Sequence, residues 1–250
     1  MPQVVIFNNQ QQFYGVNPTF SGMTLLNSGR NLKTWWNFED FCSGATTNLK
    51  YGIWNPFANG AGARAIDIAG AADRPGIVML SASGVGEWAC LSGVYTNAST
   101  YLFGAGEYTF EGDFMLGALS TAVEEFQIHI GYSDNAWGLS VDGVGFLYDR
   151  TVSVNWQGRN SNNGVVSLLD TGIAVVAGAW TRLKIIVNAA GTLSSFYIND
   201  VLVGTLNANI PIVAGREFSH MVNMLKTVGA TERWMICDWI WLHIDLAVSR

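Results

Sequence analysis

The chain has 250 residues, of which 49% are hydrophobic and only 13% charged, and its formal net charge is −6. An acidic chain with so few cations lacks the basic surface that nucleic-acid binding requires, so we predict no nucleic-acid partner. Soluble domains average about 25% charged residues. The low charge content therefore favours a subunit whose apolar surface is partly buried against another copy or another protein.

Further classes are disfavoured by spacing. No stretch offers the roughly 20 uninterrupted apolar residues of a membrane helix, which predicts no membrane insertion. The chain does not open with a basic segment followed by an apolar run, so we expect no secretory signal.

The odd number of cysteines, without C-x-x-C spacing, favours buried free thiols over disulfides. No histidine or acidic spacing matches a zinc or calcium site, and we predict neither a metal nor a cofactor. The cysteines are Cys42, Cys90 and Cys237.

Residues 1–35 differ from the rest of the chain. They contain a run of asparagine and glutamine flanked by aromatic residues and turn-forming residues, which cannot build a core alone. We predict an extended arm for docking or oligomerisation, with Phe7, Phe13 and Tyr14 as its candidate anchors. Residues 36–250 are predicted to form one β-sandwich.

Short apolar segments recur from Trp35 onward, separated by glycine-rich turns and with almost no helical periodicity. Residues 108–116 and 126–132 alternate well between apolar and polar side chains. Further on, the alternation of Leu183, Ile185 and Val187 predicts a strand with one face on a core. Ala190-Gly191 and Asn199-Asp200 predict two tight turns that join it to the next two strands. The pattern as a whole predicts an all-β sandwich or jelly roll.

The chain resembles the concanavalin A-like lectin/glucanase jelly roll, in the version found in bacteriophage virion proteins. The resemblance runs from about Asn37 to about Leu242, and it depends on the order and spacing of several short segments rather than on one diagnostic motif. It implies an all-β, antiparallel two-sheet jelly-roll sandwich, frequently in a trimeric tail-fibre, tail-tip or capsid-surface protein. The segments are 74–78, 108–111, 124–126, 130–132, 143–150, 155–156, 170–175, 178–180, 209–211, 226–229 and 238–240.

Enzymes of this superfamily carry a Glu-x-Asp-x-Glu strand, whose alternation places the carboxylates on one face of a sheet. Glu111 and Asp113 match its first two positions, but Met115 stands at the third. A thioether cannot serve as the second catalytic carboxyl that glycoside hydrolysis requires. We therefore predict that the protein is not an enzyme and that Glu111 and Asp113 take part in hydrogen bonds on the sheet.

Two parts of the sequence are candidates for contact with a glycan. His129 lies in the alternation of residues 126–130, where a polar residue facing the pleat is the simpler interpretation and ligand contact the alternative. Aromatic rings stack on sugars, and amides and guanidinium groups bind hydroxyls, but the same residues also anchor strand ends and subunit interfaces. The candidate glycan-binding residues at predicted strand ends and loops are Trp137, Tyr148, Arg150, Asn155, Trp156, Arg159 and Asn160.

These observations predict a non-enzymatic virion structural protein on the surface of the particle, on head or tail. It is expected to form a homo-oligomer, with a trimer implied by the resemblance, and to contact other virion proteins. The alternative is an adhesin module that binds carbohydrate on the host surface, and a polysaccharide hydrolase or lyase is a third interpretation.

Overall fold

In the computed structural model, the backbone of four strands before residue 40 is described, followed by residues 54–71, 74–93 and 101–247. Side chains are described from residue 54 onward, apart from those of 67, 69–71 and 75. Strands and turns account for the regular structure of these parts, which contain no helix. Within them there is accordingly no helix of the length and apolarity needed to cross a membrane.

The described residues contain eighteen strands. Their bounds are β1 Val4–Phe7, β2 Gln10–Phe13, β3 Leu26–Asn27, β4 Thr34–Glu39, β5 Asn55–Asn59, β6 Arg64–Ala71, β7 Arg74–Ala82, β8 Trp88–Ser92, β9 Gly106–Leu116, β10 Glu125–Ser133, β11 Gly143–Asp149, β12 Asn155–Asn162, β13 Val165–Ala174, β14 Thr181–Val187, β15 Ser194–Ile198, β16 Val201–Leu206, β17 Ser219–Val228 and β18 Arg233–Leu246.

Two large antiparallel sheets pack face to face. The first has seven strands in the order β13-β12-β11-β10-β17-β8-β5. The second has the order β16-β15-β14-β9-β18-β7-β6, and β4 adds to it by pairing with β18. Neighbouring strands in both sheets run antiparallel, and this confirms the predicted two-sheet sandwich. Strands β1, β2 and β3 form a separate small sheet.

The predicted strands and turns of residues 181–206 are present as β14, β15 and β16. Leu183, Ile185 and Val187 are fully buried, because the alternate residues of β14 face the space between the sheets. Asn199 and Asp200 have φ values of 51° and 67°, the left-handed pair that a two-residue hairpin turn requires.

The core lies between the two sheets and contains aromatic rings from both. Phe103 and Phe218 pack with their ring centroids 4.0 Å apart, and Tyr108 and Tyr132 meet edge to face at 6.1 Å. Because this core is closely packed, the two sheets are rigid. The strand register therefore fixes the position of each side chain on the outer faces. A smaller apolar cluster lies on the outer face of the seven-stranded sheet.

Among the described N-terminal residues, those of β4 join the second sheet. Strand β4 begins at Thr34 and extends the second sheet along Ile240–Asp245 of β18. The backbone of the predicted arm is described only at β1, β2 and β3. Phe7 and Phe13 are the last residues of β1 and β2, whereas Tyr14 lies outside the described residues. Docking by this arm stays a prediction.

Candidate functional site

A row of side chains crosses the outer face of the seven-stranded sheet, the face turned away from the second sheet. Strand pairing places Cys90, Asn223, His129, Leu147 and Gln157 directly opposite one another on five successive strands. All five are nearly or completely inaccessible to solvent. Polar groups on an outer sheet face are ordinarily solvated, so their burial here indicates that another part of the chain covers them.

The imidazole of His129 is the most unusual group of this row. It is fully buried, and neither Nδ1 nor Nε2 has a hydrogen-bond partner. Burial, reinforced by the nearby positive charge of Arg159, lowers the pKa of His129 to about 3, so the ring is neutral at physiological pH. Its edge lies above Gly145 on β11, where a β-carbon would stand 2.3 Å from Nε2. Only glycine leaves room for the ring in this position.

Arg159 lies beside this histidine, since Gly145 pairs directly with Arg159 on β12. The arginine is 4% exposed. One of its terminal nitrogens donates to Ser140 Oγ at 2.5 Å and Ser161 Oγ at 3.0 Å, and the other donates to the Ser140 carbonyl at 2.8 Å. Among the described residues no carboxylate forms an ion pair with it.

Residues 134–142, named here the cover loop, lie over this part of the sheet. The neck of the loop is closed by the backbone N–H of Asp134, which donates to the Asp142 carbonyl at 3.1 Å. Besides Ser140, the loop contacts the sheet through Gly138, whose carbonyl accepts a hydrogen bond of 3.0 Å from Asn223 Nδ2. Trp137 of the loop lies 5.8 Å from Trp88, centroid to centroid, and remains 40% exposed.

Three of the predicted glycan-binding residues point into the protein. Tyr148 and Trp156 are 2% and 1% exposed and belong to the core between the sheets. Asn160 is fully buried and hydrogen-bonds Ser194 of the second sheet. Each of these three side chains lies at a strand position that faces the core, so none of them is presented to the surface where a glycan was expected.

The other four candidates lie in two separate places. Arg150 and Asn155 lie at the turn between β11 and β12, where Arg150 Nη1 is 3.8 Å from a Glu125 carboxylate oxygen and Asn155 donates to Asp170. Of the seven predicted residues, Trp137 and Arg159 alone belong to the region of the cover loop. The structure therefore does not bring the predicted set together.

The two carboxylates of the hydrolase-like strand lie on the outer face of the second sheet. Glu111 is 3.0 Å from Lys184 Nζ, and Asp113 is 3.0 Å from Arg74 Nη1. Arg74 also pairs with Asp238 and lies over the ring of Trp180, 3.9 Å from its centroid. The predicted hydrogen bonds of Glu111 and Asp113 thus take the form of ion pairs.

The remaining reactive groups are candidate metal ligands and cysteine thiols. In the parts of the chain described, no three histidine, cysteine or acidic side chains are grouped so that they could hold a metal ion. Cys90 and Cys237 are buried free thiols, as predicted, and burial raises the pKa of Cys90 to about 12. Cys42 lies outside the described residues.

Sequence reasoning missed Asn223, Gln157 and Ser140 as members of this site. The available signal was the strand alternation, which marks Asn223 and Gln157 as polar residues on one face of their strands. Nothing in the sequence indicates which strands are neighbours, because β10 and β17 are separated by about ninety residues.

The fold is that of a concanavalin A-like jelly-roll sandwich. Peanut lectin is similar over 86% of this chain and 99% of the lectin, at 10% identity and a TM-score of 0.55. A carbohydrate esterase, vb_24B_21, from the Shiga toxin-encoding bacteriophage phi24B is similar over 83% of this chain and 97% of the esterase, at 15% identity and a TM-score of 0.51. Lectins and enzymes thus share this fold.

A protein of unknown function, SO2946 from Shewanella oneidensis MR-1, has a TM-score of 0.63 at 12% identity, covering 90% of this chain and 92% of its own. Residues 73–238 match the family described as SO2946-like, C-terminal domain. The chain belongs to this family. No curated protein matches its sequence.

Proposed function

We propose that this chain is a non-enzymatic structural protein of a bacteriophage particle, which displays a lectin-like sandwich at the particle surface as a homo-oligomer. The sequence resemblance to virion versions of the fold motivates the particle, and one protein of similar fold comes from a bacteriophage. A tail-fibre, tail-tip or capsid-decoration component fits this role.

The observation that carries the proposal is the open side of the sandwich. Strands β13 and β16 are the last strands of the two sheets and lie beside each other, since a β-carbon at Gly204 would stand 2.5 Å from Leu169. This side exposes six aliphatic residues on the two strands, each of them between two-fifths and two-thirds exposed. They are Val165, Val166, Leu168, Ile173, Val201 and Leu202.

Strand β13 is unusual for an exposed edge. It is ten residues long and carries a single charged side chain, Asp170. Natural proteins protect sheet edges with lysines, prolines or short strands, because a long apolar edge pairs with other chains. Here the edge lacks such protection, and the whole chain is only 13% charged. Both features favour an edge that is buried against a second copy in the assembled protein.

Two features of the second sheet support a role without catalysis. Glu111 and Asp113 are occupied by ion pairs with Lys184 and Arg74. Met115 takes the place of a third carboxylate on the same strand. A pair of carboxylates free to act as acid and nucleophile is the minimum that glycoside hydrolysis requires.

The oligomer is tested by measuring mass in solution. We expect about three times the subunit mass of 27.1 kDa at micromolar concentration, and dissociation in Leu168→Lys. Val85→Lys is the matched control, since Val85 is 67% exposed in a turn away from this side. A stable wild-type monomer contradicts the assembly.

Immunogold electron microscopy of purified particles tests the location, and absence of the protein from them contradicts the virion role.

One observation favours carbohydrate binding as a second function. On the outer face of the first sheet, His129 is buried without a hydrogen-bond partner for its ring nitrogens, and Arg159 is buried with neutral hydrogen-bond acceptors instead of a carboxylate. A glycan array separates this function from a purely mechanical role. Release of reducing ends from a host polysaccharide, lost in Glu111→Gln, would instead support the hydrolase interpretation.

A further inference from the structure

Arg159 is a buried cation that lacks a counterion among the described residues. Its side chain is held by two serine hydroxyls and one carbonyl, all of them neutral acceptors. Buried arginines are ordinarily paired with carboxylates, because desolvating an uncompensated charge is costly. Asp134 acts on Arg159 only through space, and its own Oδ1 accepts a hydrogen bond from the Val141 N–H. The guanidinium group of Arg159 can therefore bind a carboxylate, and no carboxylate of the described residues pairs with it.

The orphan imidazole of His129 is directed toward the same place. Nε2 lies above Gly145, the residue paired with Arg159 across the strands. A neutral imidazole offers one donor and one acceptor, and in His129 both stay unused despite complete burial. Unsatisfied buried polar atoms are rare in native proteins and call for an explanation, and a ligand group is one.

Amide groups complete the set. Asn223 lies opposite His129, and its Nδ2 contacts the cover loop at the Gly138 carbonyl. Gln157, which is 3% exposed, lies opposite Leu147 in the same row. Amides and imidazoles hydrogen-bond sugar hydroxyls as donors and acceptors, whereas a guanidinium binds a carboxylate through two parallel bonds.

The cover loop closes this place through hydrogen bonds and a small apolar contact. Ser140 supplies the hydroxyl and carbonyl that hold Arg159, and Gly138 holds Asn223. The Val141 carbonyl accepts a hydrogen bond of 3.0 Å from the Gly164 N–H, and Ala136 belongs to the apolar cluster on the sheet. The ends of the loop meet at Asp134 and Asp142, so the residues between them lift as a unit about this neck when these contacts break. Trp137 and Trp88 lie at the margin, where aromatic rings can stack on a sugar face.

We propose that Arg159, His129, Asn223 and Gln157 form a binding site for a saccharide that carries a carboxylate, such as a uronic acid residue. Ser140 of the cover loop occupies the place of the carboxylate until the ligand displaces it. This inference rests on the carbohydrate-binding alternative proposed above. It concerns binding alone and requires no bond to form or break.

Calorimetric titration of the full chain tests the site, with oligogalacturonate as the probe and a neutral galacto-oligosaccharide of equal length as its control. We expect the acidic probe to bind at least tenfold more tightly, equivalent to about 1.4 kcal/mol. Arg159→Gln should abolish this preference. Arg64→Gln, which changes an exposed arginine on β6 of the second sheet, should leave it unchanged.

A second variant tests the site without deleting the buried arginine. Ser140→Asp places a carboxylate on the cover loop beside Arg159, so it should fold, unfold at higher denaturant concentration than the wild type, and fail to bind the acidic probe. Ser140→Ala removes one competing acceptor and should bind the probe more tightly.

The outcomes separate the two ideas. Equal binding of neutral and acidic probes, unaffected by Ser140→Asp, overturns the inference and retains carbohydrate binding. Failure of folded wild type and Ser140→Ala to bind the acidic probe overturns the inference, and a glycan array without any hit removes the carbohydrate-binding alternative with it.

Discussion

The imidazole of His129 and the α-carbon of Gly145 are packed so closely that a β-carbon on Gly145 would stand 2.3 Å from Nε2 and 2.8 Å from Cδ2. The two residues lie on neighbouring strands of the first sheet, on its outer face. A methyl group at this position cannot coexist with the present ring orientation. This contact fixes where the imidazole can lie.

Gly145→Ala should therefore lower the free energy of unfolding by about 1–3 kcal/mol, the usual cost of overpacking a tight interior. Gly158→Ala is the matched control, since its β-carbon would meet Phe196 at 2.9 Å on the opposite, core face of the same sheet. Chemical denaturation should show losses of similar size, but only Gly145→Ala should weaken saccharide binding. Equal binding by both variants would contradict the role of His129.

The depressed pKa of His129 predicts a pH dependence of stability. Its pKa is about 3 in the folded protein against 6.5 for an ordinary histidine, so between these values the unfolded chain binds one more proton. Stability should fall as the pH falls from about 6.5 toward 3, by up to about 1.4 kcal/mol per pH unit. Burial is the main cause, and the charge of Arg159 adds to it.

His129→Leu should remove this part of the pH dependence and leave the slopes due to other groups. At pH 7 we expect the variant to be as stable as the wild type or more so, because it eliminates two unsatisfied nitrogens. Denaturation at several pH values measures both effects. Parallel curves for the wild type and the variant would show that His129 is solvated in solution.

Lys226 is fully buried, and its Nζ donates to Glu124 and to the Thr231 carbonyl. Removal of the carboxylate in Glu124→Gln leaves a buried, uncompensated charge, which is strongly destabilising. The loss should be several times that of Glu125→Gln, whose pair with the more exposed Arg150 is long at 3.8 Å. The double variant Glu124→Gln/Lys226→Met should recover much of the loss, and additivity of the single changes would contradict the coupling.

Glu87 organises the turns between β5 and β6 and between β7 and β8. Its carboxylate accepts hydrogen bonds from the backbone N–H groups of Gly84 at 2.8 Å and of Gly62 and Ser83 at 3.0 Å. These bonds, that of Gly84 first, lower the pKa of Glu87 to about 2. The stability they confer is complete above pH 4.5, and it decreases as the pH falls toward 2.

Glu87→Gln should be less stable than the wild type at pH 7, and the difference should shrink steadily below pH 4.5. Thermal unfolding across this range provides the measurement. A difference that is constant with pH would show that the carboxylate charge contributes nothing.

Arg74 joins two acidic side chains on the outer face of the second sheet. Asp113 and Asp238 both pair with its Nη1, and Trp180 packs against the plane of the guanidinium. Arg74→Met should cost about 2 kcal/mol or more, since it leaves two partly buried carboxylates close together. Arg74→Lys retains the charge but not the planar stacking, and it should cost less. Equal losses in the two variants would show that charge is unimportant here.

The strands were predictable where alternation and turn chemistry agree. The alternation of Leu183, Ile185 and Val187 predicts a core-facing strand, and Asn199-Asp200 predicts the neighbouring hairpin turn, because both signals are local. The face on which Tyr148 and Trp156 lie was not predictable. Proximity to a strand end says nothing of direction, and the irregular register between Asn155 and Gln157 shifts β12 relative to β13.

The candidate site depends on contacts between distant segments. Arg159 and His129 are recognisable in the sequence as polar residues of interest, but only the folded chain shows that Ser140 of the cover loop holds the buried guanidinium group of Arg159. No local pattern predicts that residues 134–142 fold back over the sheet. The missing counterion of Arg159 becomes visible only when all its neighbours are known.

The two described thiols differ in what shields them. Cys90 shares its small cluster with Ala136 of the cover loop, whereas Cys237 is enclosed between the sheets. In a protein with Cys42 replaced by serine, a thiol reagent would therefore modify Cys90 when the cover loop opens and Cys237 only when the whole domain unfolds. The ratio of the labelling rate of Cys90 to that of Cys237 thus measures how often the loop opens relative to global unfolding.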